Sequence, residues 1–387
     1  MIRKSSFSPA WLLGAALVSA SAVASDTSSM PTGRVDQSEF AVAYQITPAH
    51  SGAMVFKAGF KVPLRKVWTA SISASEITYA LIANDKVFVD AAANGAGNGT
   101  DALSLTSGAL LWNYDSGASY TGPAYDNGAV FALSRDGLLQ AISAQSGALK
   151  WSLNAGGDGT SPPTAANGLI YVNSGAIAVD ETTGNIVWYG DPVNASTSGA
   201  VAYGDSGIYV PGTCFYDKLS ALHGITLWQY QSCQDYGVNL DSSVYRTGRV
   251  YIEDDFKGNF ILASGTGDYL GTFGCDYERP ADPPAFFEYE GKQYGVCLSK
   301  GTLHAWNATT GNDLWSFVGD GRLSTPPIVV NGYVFAGSSL GHIYALAVAN
   351  GRKKWLERID SAPTSFAAGE GRLIVVSSGS VTAYAPR

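Results

Sequence analysis

A motif that recurs about every forty residues constrains the fold of this chain more than any other feature of its sequence. The motif is Gly-x-x-x-Trp, preceded by a small or polar residue. Its complete copies are Gly108…Trp112, Gly147…Trp151, Gly184…Trp188, Gly224…Trp228, Gly311…Trp315 and Gly351…Trp355, and a copy at Gly267…Gly271 lacks the tryptophan. Successive glycines are 39, 37, 40, 43, 44 and 40 residues apart. Such a period predicts a closed or stacked array of small repeat units.

Each unit has the pattern of four short strands, which is clearest between residues 325 and 355. Residues 326–330 alternate as a strand, Asn331-Gly332 forms a hairpin turn, and residues 333–337 are a second strand. Residues 343–348 and 353–358 predict two more strands around a turn at Asn350-Gly351. Four antiparallel strands in about forty residues are typical of a β-propeller blade. In the order of the chain we call these strands A to D.

The number of blades follows from the positions of the fourth strands. Seven such positions run from Trp112 to Trp355, and three further strands follow at residues 363–369, 372–377 and 380–385. The missing fourth strand of this last blade is available upstream at Val67-Trp68. We therefore expect an all-β, eight-bladed propeller whose last blade is closed by N-terminal residues, which leaves no free sheet edge at the junction.

The N-terminus predicts export. Arg3 and Lys4 precede an apolar run from Trp11 to Val18, and Ala22-Val23-Ala24 is a small-residue cleavage site. We divide the chain into a signal peptide at 1–24, a lead-in segment at 25–62 and the propeller at 63–387. Ser25 is not a cysteine, which argues against a lipid anchor at the mature N-terminus. The expected location is secreted or periplasmic.

Charge limits the possible partners. The whole chain has 24 basic and 32 acidic residues. Removal of residues 1–24 takes away two basic residues and no acidic residue, which leaves a net charge of −10. An acidic surface repels phosphate backbones, so nucleic acid is not expected as a partner. No later segment has about 20 consecutive apolar residues, so a membrane-spanning helix is not expected either. We expect a monomer.

Four cysteines, an even number, favour disulfides in an exported chain. Of three possible pairings we predict Cys214–Cys233 and Cys275–Cys297, because each closes a short loop, of 19 and 22 residues. No metal site is predicted, because none of the four histidines has the spacing of a metal-ligand pair. These histidines are His50, His223, His304 and His342.

The repeat resembles a known family. The stretch Ala178-Val-Asp-Glu-Thr-Thr-Gly-Asn-Ile-Val-Trp188 is similar to the tryptophan-docking motif of pyrroloquinoline quinone (PQQ)-type propellers, and residues 44–52 resemble their lead-in. That family includes quinone-dependent dehydrogenases and an outer-membrane assembly scaffold lipoprotein. The resemblance implies that the repeated tryptophans pack flat between blades and are structural. These residues are Trp112, Trp151, Trp188, Trp228, Trp315 and Trp355.

Loop lengths identify the expected functional face. A–B and C–D turns are tight, whereas B–C and D–A loops are longer, and elaborated loops on a rigid scaffold are where binding usually occurs. The D–A loops each contain an aspartate, and some add Tyr or Arg. The candidate binding residues are Asp115, Asp158, Asp191, Asp235, Tyr236, Asp276, Tyr277, Asp320, Arg322 and Asp360. The B–C loops were expected to hold Asp90, Asp101, Asp136, Asp217, Asp254 and Asp255. Aspartate is also a common turn former, so a structural role is the alternative.

Three functions remain open. The first is a non-enzymatic binding or assembly module that takes a protein or carbohydrate ligand at the acidic loops. The second is a polysaccharide lyase or hydrolase that uses Tyr120, Tyr236, Tyr277, Arg279 or Arg322 at the channel mouth. The third, PQQ- and calcium-dependent dehydrogenation, is disfavoured because the family's adjacent cysteines and long insertions are missing. No cofactor is therefore expected.

Overall fold

The computed structural model describes residues 38–74, 76–93, 96–156, 161–190, 199–212, 214–233, 242–254, 257–275 and 283–387. Within these ranges the regular elements are strands, which form eight sheets. Each sheet is a four-stranded antiparallel blade, and one blade has an additional parallel strand. The prediction of an all-β, eight-bladed propeller is confirmed.

Two strands precede the first complete blade, β1 (Ala53–Met54) and β2 (Leu64–Ser71). Blade 1 contains β3 (Glu76–Ala83), β4 (Lys86–Ala93), β5 (Ala96–Ser104) and β6 (Leu110–Tyr114). Blade 2 contains β7 (Tyr120–Asp126), β8 (Ala129–Ser134), β9 (Leu138–Ser143) and β10 (Leu149–Asn154). Blade 3 contains β11 (Thr164–Ala166), β12 (Leu169–Val172), β13 (Ile177–Asp180) and β14 (Ile186–Tyr189). Blade 4 contains β15 (Ala202–Gly204), β16 (Gly207–Pro211), β17 (Phe215–Ser220) and β18 (Thr226–Gln231).

Blade 5 contains β19 (Val244–Arg246), β20 (Arg249–Ile252), β21 (Phe260–Ala263) and β22 (Tyr269–Gly271). Blade 6 contains β23 (Ala285–Tyr289), β24 (Lys292–Ser299), β25 (Thr302–Asn307) and β26 (Asp313–Phe317). Blade 7 contains β27 (Ile328–Val330), β28 (Tyr333–Gly337), β29 (His342–Ala347) and β30 (Lys353–Arg358). Blade 8 contains β31 (Pro363–Gly369), β32 (Arg372–Ser377) and β33 (Ser380–Pro386), and β2 is its fourth strand.

The A–B turn is the same in every blade. Two residues join the strands, and both have positive φ, as at Asn127 (49°) and Gly128 (78°). Two-residue turns of this kind match the twist of the strands they connect and fix their register. The other seven pairs are Asn84-Asp85, Asn167-Gly168, Asp205-Ser206, Thr247-Gly248, Glu290-Gly291, Asn331-Gly332 and Glu370-Gly371.

Ring closure occurs where the sequence predicted it. The N-terminal strand β2 pairs antiparallel with β33, from Leu64 opposite Pro386 to Ser71 opposite Ser380, and Trp68 lies opposite Ala383. The first and last parts of the propeller therefore share one blade. A single continuous ladder joins them, so neither end of the ring is left as an open edge.

Tryptophans link neighbouring blades by a repeated contact. Each ring packs on the motif glycine of the next blade, and its indole Nε1 donates to the backbone oxygen three residues before that glycine. A Cβ at Gly108 would lie 2.5 Å from the ring of Trp68, so only glycine fits there. The donor–acceptor pairs are Trp68–Leu105, Trp112–Ala144, Trp151–Glu181, Trp188–Ala221, Trp228–Ser264 and Trp315–Val348, at 2.7–3.2 Å.

Trp355 differs from the other docking residues. Blade 8 takes its fourth strand from the other end of the chain, so it has no C–D turn and offers no motif glycine. The ring of Trp355 instead meets Tyr384 edge-on, with centroids 5.6 Å apart, and Trp355 is buried. Trp355 therefore packs between blades, but the expectation that it packs flat is wrong, because blade 8 offers no motif glycine for its ring.

The interface between blades 5 and 6 has lost its docking tryptophan, because Gly271 stands in its place. The acceptor at the equivalent position, the carbonyl of Ala308, receives a hydrogen bond from the Arg249 guanidinium at 2.6 Å. Phe273 stacks on the fully buried Trp306 with centroids 5.4 Å apart. The Cys275–Cys297 disulfide also crosses this interface. Three different contacts therefore replace the one that is missing.

Both predicted disulfides are confirmed, with Cys214 bonded to Cys233 and Cys275 bonded to Cys297. The second joins blades 5 and 6, as described above. The first joins the B–C and D–A connections of blade 4. Disulfides of this kind fit an oxidising compartment.

Three aspartates assigned to B–C loops lie in strands, so that assignment was wrong. Asp90 is in β4, Asp101 is in β5 and Asp217 is in β17. In blade 1 the supposed long loop is a hairpin in which β4 and β5 stay paired as far as Ala93 opposite Ala96. Strand pairing continues through this segment because buried backbone N–H and C=O groups need hydrogen-bond partners, which the ladder supplies. Asp136 and Asp254 do lie in B–C connections, and Asp255 is outside the described residues.

The lead-in segment closes the axis of the ring. From Glu39 to Gly52 its backbone exchanges hydrogen bonds of 2.7–3.0 Å with every blade except blade 3. The blade residues are Ile82, Tyr125, Tyr203, Tyr245, Phe286, Val329 and Glu370. Five of them lie one residue before the end of an A strand, next to the A–B turns. β1 then adds parallel to β27, and Phe56 and Phe60 extend the core of blades 7 and 8. We call residues 39–56 the plug.

The docking contact predicts a graded loss of stability at Trp228. Trp228→Phe keeps an aromatic ring but loses the hydrogen bond to Ser264, at a cost of about 1 kcal/mol. Trp228→Ala also opens a cavity between blades 4 and 5, which costs about 3–5 kcal/mol. Leu227→Ala, at the exposed neighbouring position, is the control and should change stability by less than about 0.5 kcal/mol. Denaturant unfolding measures all three, and equal losses for Phe and Ala would contradict the docking role.

The plug predicts the effect of N-terminal truncation. A chain that starts at residue 37 keeps the plug and should melt like the parent. One that starts at residue 63 keeps β2 but loses the plug hydrogen bonds, so it should melt at a lower temperature while remaining closed. One that starts at residue 71 loses most of β2 and exposes the edge of β33, so it should aggregate. Thermal unfolding and light scattering distinguish the three, and identical melting from residues 37 and 63 would show that the plug adds nothing.

Candidate functional site

The two ends of the propeller are built differently. The A–B and C–D turns share one end, the turn face, where the plug enters. The B–C and D–A connections share the other end, which we call the loop face. Two cavities lie at the loop face, one on the axis and one between blades 1 and 2, and a third cavity lies in a groove between blades 8 and 1.

The axial pocket is small and carries no acidic or basic side chain. Its volume is about 170 Å³, and Tyr44 and Gln45 of the plug form part of its lining. The other lining residues are Ile77, Thr78, Tyr79, Pro326, Thr364, Ser365 and Phe366. Beside this region the plug buries His50 completely, with Nδ1 3.1 Å from the carbonyl oxygen of Ser243. Burial lowers the pKa of His50 to about 4, so this histidine is neutral at physiological pH.

The cleft between blades 1 and 2, unlike the axial pocket, contains charged groups. It has a volume of about 300 Å³. Strands β3 and β4 of blade 1, strand β7 and the B–C connection of blade 2, and the connection between the two blades contribute to it. We call it the Asp90 cleft, after the carboxyl group buried in its wall. Its lining residues are Glu76, Thr78, Asp90, Ala91, Ala92, Ser119, Tyr120 and Arg135.

Asp90 is held in place by its own hairpin. It pairs across the ladder with Thr100, whose hydroxyl donates to Asp90 Oδ1 at 2.7 Å. The residue is 2% exposed, and its second oxygen, Oδ2, is buried without a hydrogen-bond partner among the described residues. Burial raises the pKa of Asp90 to about 7, and the nearby Asp101 carboxylate adds to the rise, whereas the Thr100 hydroxyl and the Gly122 backbone N–H oppose it. A lone buried carboxyl oxygen is costly unless something binds it.

Tyr120 lies in the same cleft but is already engaged. Its hydroxyl donates to Gln140 Oε1 at 2.5 Å and also contacts the Ser116 hydroxyl, while Gln140 donates to the hydroxyl of Tyr114 at 2.8 Å. Burial raises the pKa of Tyr120 above its usual range. Tyr120 therefore stays protonated at neutral pH and is poorly suited to act as the base of a lyase.

The other described binding candidates do not gather into one site. Asp115 is exposed, caps Gly117 N through its Oδ1 at 2.8 Å, and lines the groove between blades 8 and 1. Asp320 Oδ2 contacts His342 Nδ1 at 2.6 Å and accepts from the Ser338 hydroxyl at 2.7 Å. Burial opposes ionisation of Asp320, but these hydrogen bonds outweigh it and lower its pKa. Asp320 thus has a structural contact set, whereas Arg322 and Asp360 are exposed.

Several sequence candidates lie outside the described residues. They are Asp158, Asp191, Asp235, Tyr236, Asp276, Tyr277 and Arg279. Their role in binding remains a prediction. Among the residues that the structure does describe, no group of three or more His, Cys, Asp or Glu side chains is placed to hold a metal ion. The described segments also contain no helix that could cross a membrane.

A family comparison matches most of the chain. Residues 97–273 and 288–387 match the family described as outer membrane protein assembly factor BamB, whose signature is the PQQ-like repeat. The chain belongs to this family. A search of curated protein sequences finds no match.

Solved structures that are similar to this BamB-family chain share its fold but differ from one another in function. BamB from Moraxella catarrhalis has 19% identity and a TM-score of 0.66, covering 84% of this chain and 100% of its own. The computationally designed Ika8 protein has 15% identity and a TM-score of 0.69, covering 83% and 99%. A europium-containing methanol dehydrogenase has 16% identity and a TM-score of 0.68, covering 90% and 98%. At these identities the likeness shows the fold alone.

The axial pocket of this BamB-family chain does not fit PQQ. The cofactor is a planar tricarboxylate, so its site needs room for three fused rings and cationic partners for the carboxylates. The described lining of the pocket has neither Arg nor Lys, and the plug side chains Tyr44 and Gln45 occupy part of the axis. Among the described residues, the lining of this pocket therefore offers no cationic partner for the carboxylates of the quinone.

Sequence reasoning named Asp90 and Tyr120 but did not bring them together. It treated Asp90 as a loop residue, although the apolar residues on both sides, Val87 to Val89 and Ala91 to Ala93, were a signal for a continuous strand. It also gave the lead-in no role on the axis. Both findings depend on contacts between segments that are distant in the chain.

The raised pKa of Asp90 predicts how stability varies with pH. The carboxyl ionises at about pH 7 in the folded protein and near 3.8 in the unfolded chain. The free energy of unfolding therefore falls as pH rises from about 4 to 7, by at most roughly 4 kcal/mol at 1.36 kcal/mol per pH unit. Asp90→Asn should stabilise the protein at pH 8 and have little effect at pH 4. Urea unfolding of both proteins across this range checks it, and a difference that does not vary with pH would contradict the buried carboxyl.

Proposed function

We propose that this chain is a non-enzymatic binding or assembly module that acts through its loop face in the periplasm or outside the cell. The observation that supports this proposal best is the plug. It fills the axis from the turn face and leaves an uncharged pocket of about 170 Å³, so the space in which a propeller enzyme would hold a cofactor is largely taken. What remains for recognition is the outer surface of the loops.

Three further facts are consistent with a module of this kind. The chain belongs to the family described as an outer membrane protein assembly factor. Its disulfides suit an oxidising compartment. Its acidic balance, with Asp115 and Asp360 exposed at the loop face, favours a basic or cationic partner. Such attraction weakens as the salt concentration rises, because added ions shorten the electrostatic screening length, which is about 8 Å at 0.15 M.

A lyase or hydrolase is the second candidate, because the structure brings Asp90 and Tyr120 into one cleft. Two facts weigh against it. The Tyr120 hydroxyl is engaged by Gln140 and Ser116, and burial keeps it protonated. The carboxylate that shares the cleft, Glu76, is exposed and lies 3.9 Å from the Arg135 guanidinium.

Site-specific photo-crosslinking in the producing cell tests the binding face. A photoreactive residue at Arg322 or Asp360 samples the loop face, and one at Arg352, in the C–D turn of blade 7, samples the turn face. We expect loop-face probes to form one defined crosslinked product, which mass spectrometry identifies. The yield of this product should fall when the salt concentration exceeds about 0.15 M. The Arg352 probe should form little of it. Equal crosslinking from both faces, or none from the loop face, would refute the assignment.

A further inference from the structure

The Asp90 cleft has a buried polar atom without a hydrogen-bond partner among the described residues, the Oδ2 oxygen of Asp90. Oδ1 accepts from the Thr100 hydroxyl, and the Gly122 backbone N–H also favours the ionised carboxyl. Oδ2 is buried without a hydrogen-bond partner among the described residues, and Asp90 lines a 300 Å³ cavity that opens at the loop face. Buried carboxyl oxygens in folded proteins are normally paired, so one left free beside a cavity suggests that a ligand supplies the missing donor.

We propose that the Asp90 cleft is a pocket for a cationic side chain, a lysine ammonium or an arginine guanidinium, presented by a protein partner. The inference deepens the proposed function and rests on it only for the identity of the molecule that carries the cation. The pocket itself is a property of this chain.

The surrounding charges favour a cation. The carboxylate of Asp101 lies close enough to raise the pKa of Asp90, and Tyr79 and Tyr120 are the other ionisable groups that interact with it. Burial raises the pKa of both tyrosines, so each is neutral. At the rim, Glu76 and Arg135 form a loose pair at 3.9 Å. The cleft therefore has an excess of negative charge once Asp90 ionises, and a bound cation would compensate it.

The walls of the cleft suit an alkyl stem better than a sugar. Ala91 and Ala92 provide small apolar surface beside the carboxyl, which matches the methylene chain of a lysine or arginine that ends in its charged group. A sugar site usually offers an exposed aromatic face for stacking. Tyr120 is 4% exposed and presents no such face. The cleft therefore combines a buried carboxyl group with a small apolar surface at the two alanines.

The test uses the full chain with a blocked lysine, N-acetyl-lysine methylamide, and its uncharged analogue, N-acetyl-norleucine methylamide, in NMR titrations at pH 5, 6, 7 and 8. Only the lysine probe should shift resonances of the Asp90 cleft. Because a cation prefers the ionised carboxyl, its affinity should rise about tenfold per pH unit up to pH 7 and then level off. Equal binding of both probes, or no dependence on pH, would overturn the proposal.

Variants locate the effect. Asp90→Asn should weaken binding of the lysine probe at pH 8 by at least about tenfold. Asp268→Asn, which removes the same charge from an exposed position in the C–D turn of blade 5, should change the affinity by less than twofold. Ser119→Trp narrows the cleft without touching Asp90 and should also abolish binding. A monosaccharide that binds the Asp90→Asn variant and the parent with equal affinity would instead identify a sugar site and contradict the proposal.

The outcomes separate this inference from the proposed function. If the lysine probe binds but no loop-face crosslink forms, the pocket exists and the assembly role fails. If the crosslinked partner is captured equally by the parent and by Asp90→Asn, the assembly role holds and the cleft is not where the partner docks. Loss of both the probe and the partner in Asp90→Asn supports the two together.

Discussion

The contact between an indole ring and a glycine of the next blade is the interaction on which the rest of this structure depends. A four-stranded blade cannot cover both of its faces, so each blade is stable only against its neighbours. The tryptophan serves this need twice, because its ring covers apolar surface and its N–H satisfies a turn carbonyl that would otherwise be left unpaired. The glycine is required because a Cβ would collide with the ring.

The interface between blades 5 and 6 shows what that contact must provide. With the tryptophan gone, the carbonyl of Ala308 still has a donor, now the guanidinium of Arg249. The lost ring contact is replaced by Phe273 on Trp306, and a disulfide adds a covalent link. The requirements of the interface are thus a satisfied carbonyl and a covered apolar surface, and more than one set of residues meets them.

The plug occupies the axis of the ring and leaves a small pocket at its loop-face end. Its backbone forms hydrogen bonds with seven of the eight blades, and its side chains Tyr44 and Gln45 line the pocket of about 170 Å³. The Asp90 cleft lies outside this plugged axis, between two blades whose docking contact at Trp112 is intact. Its buried carboxyl opposes folding at neutral pH, and a rigid scaffold can tolerate such a group where a ligand compensates it.

The sequence by itself determined the repeat, the number of blades, the closure of blade 8 and both disulfides, because each depends on spacing along the chain and on turn residues such as Asn331-Gly332. It did not reveal the plug, the continuous hairpin that contains Asp90, or the structural use of Asp320, because these depend on which distant backbone and side-chain groups meet. An aspartate has the same letter whether it caps a turn, bonds a histidine or lies buried with one oxygen free. Only the tertiary structure distinguishes these cases, because burial and hydrogen-bond partners, not residue type, decide what a carboxyl group can do.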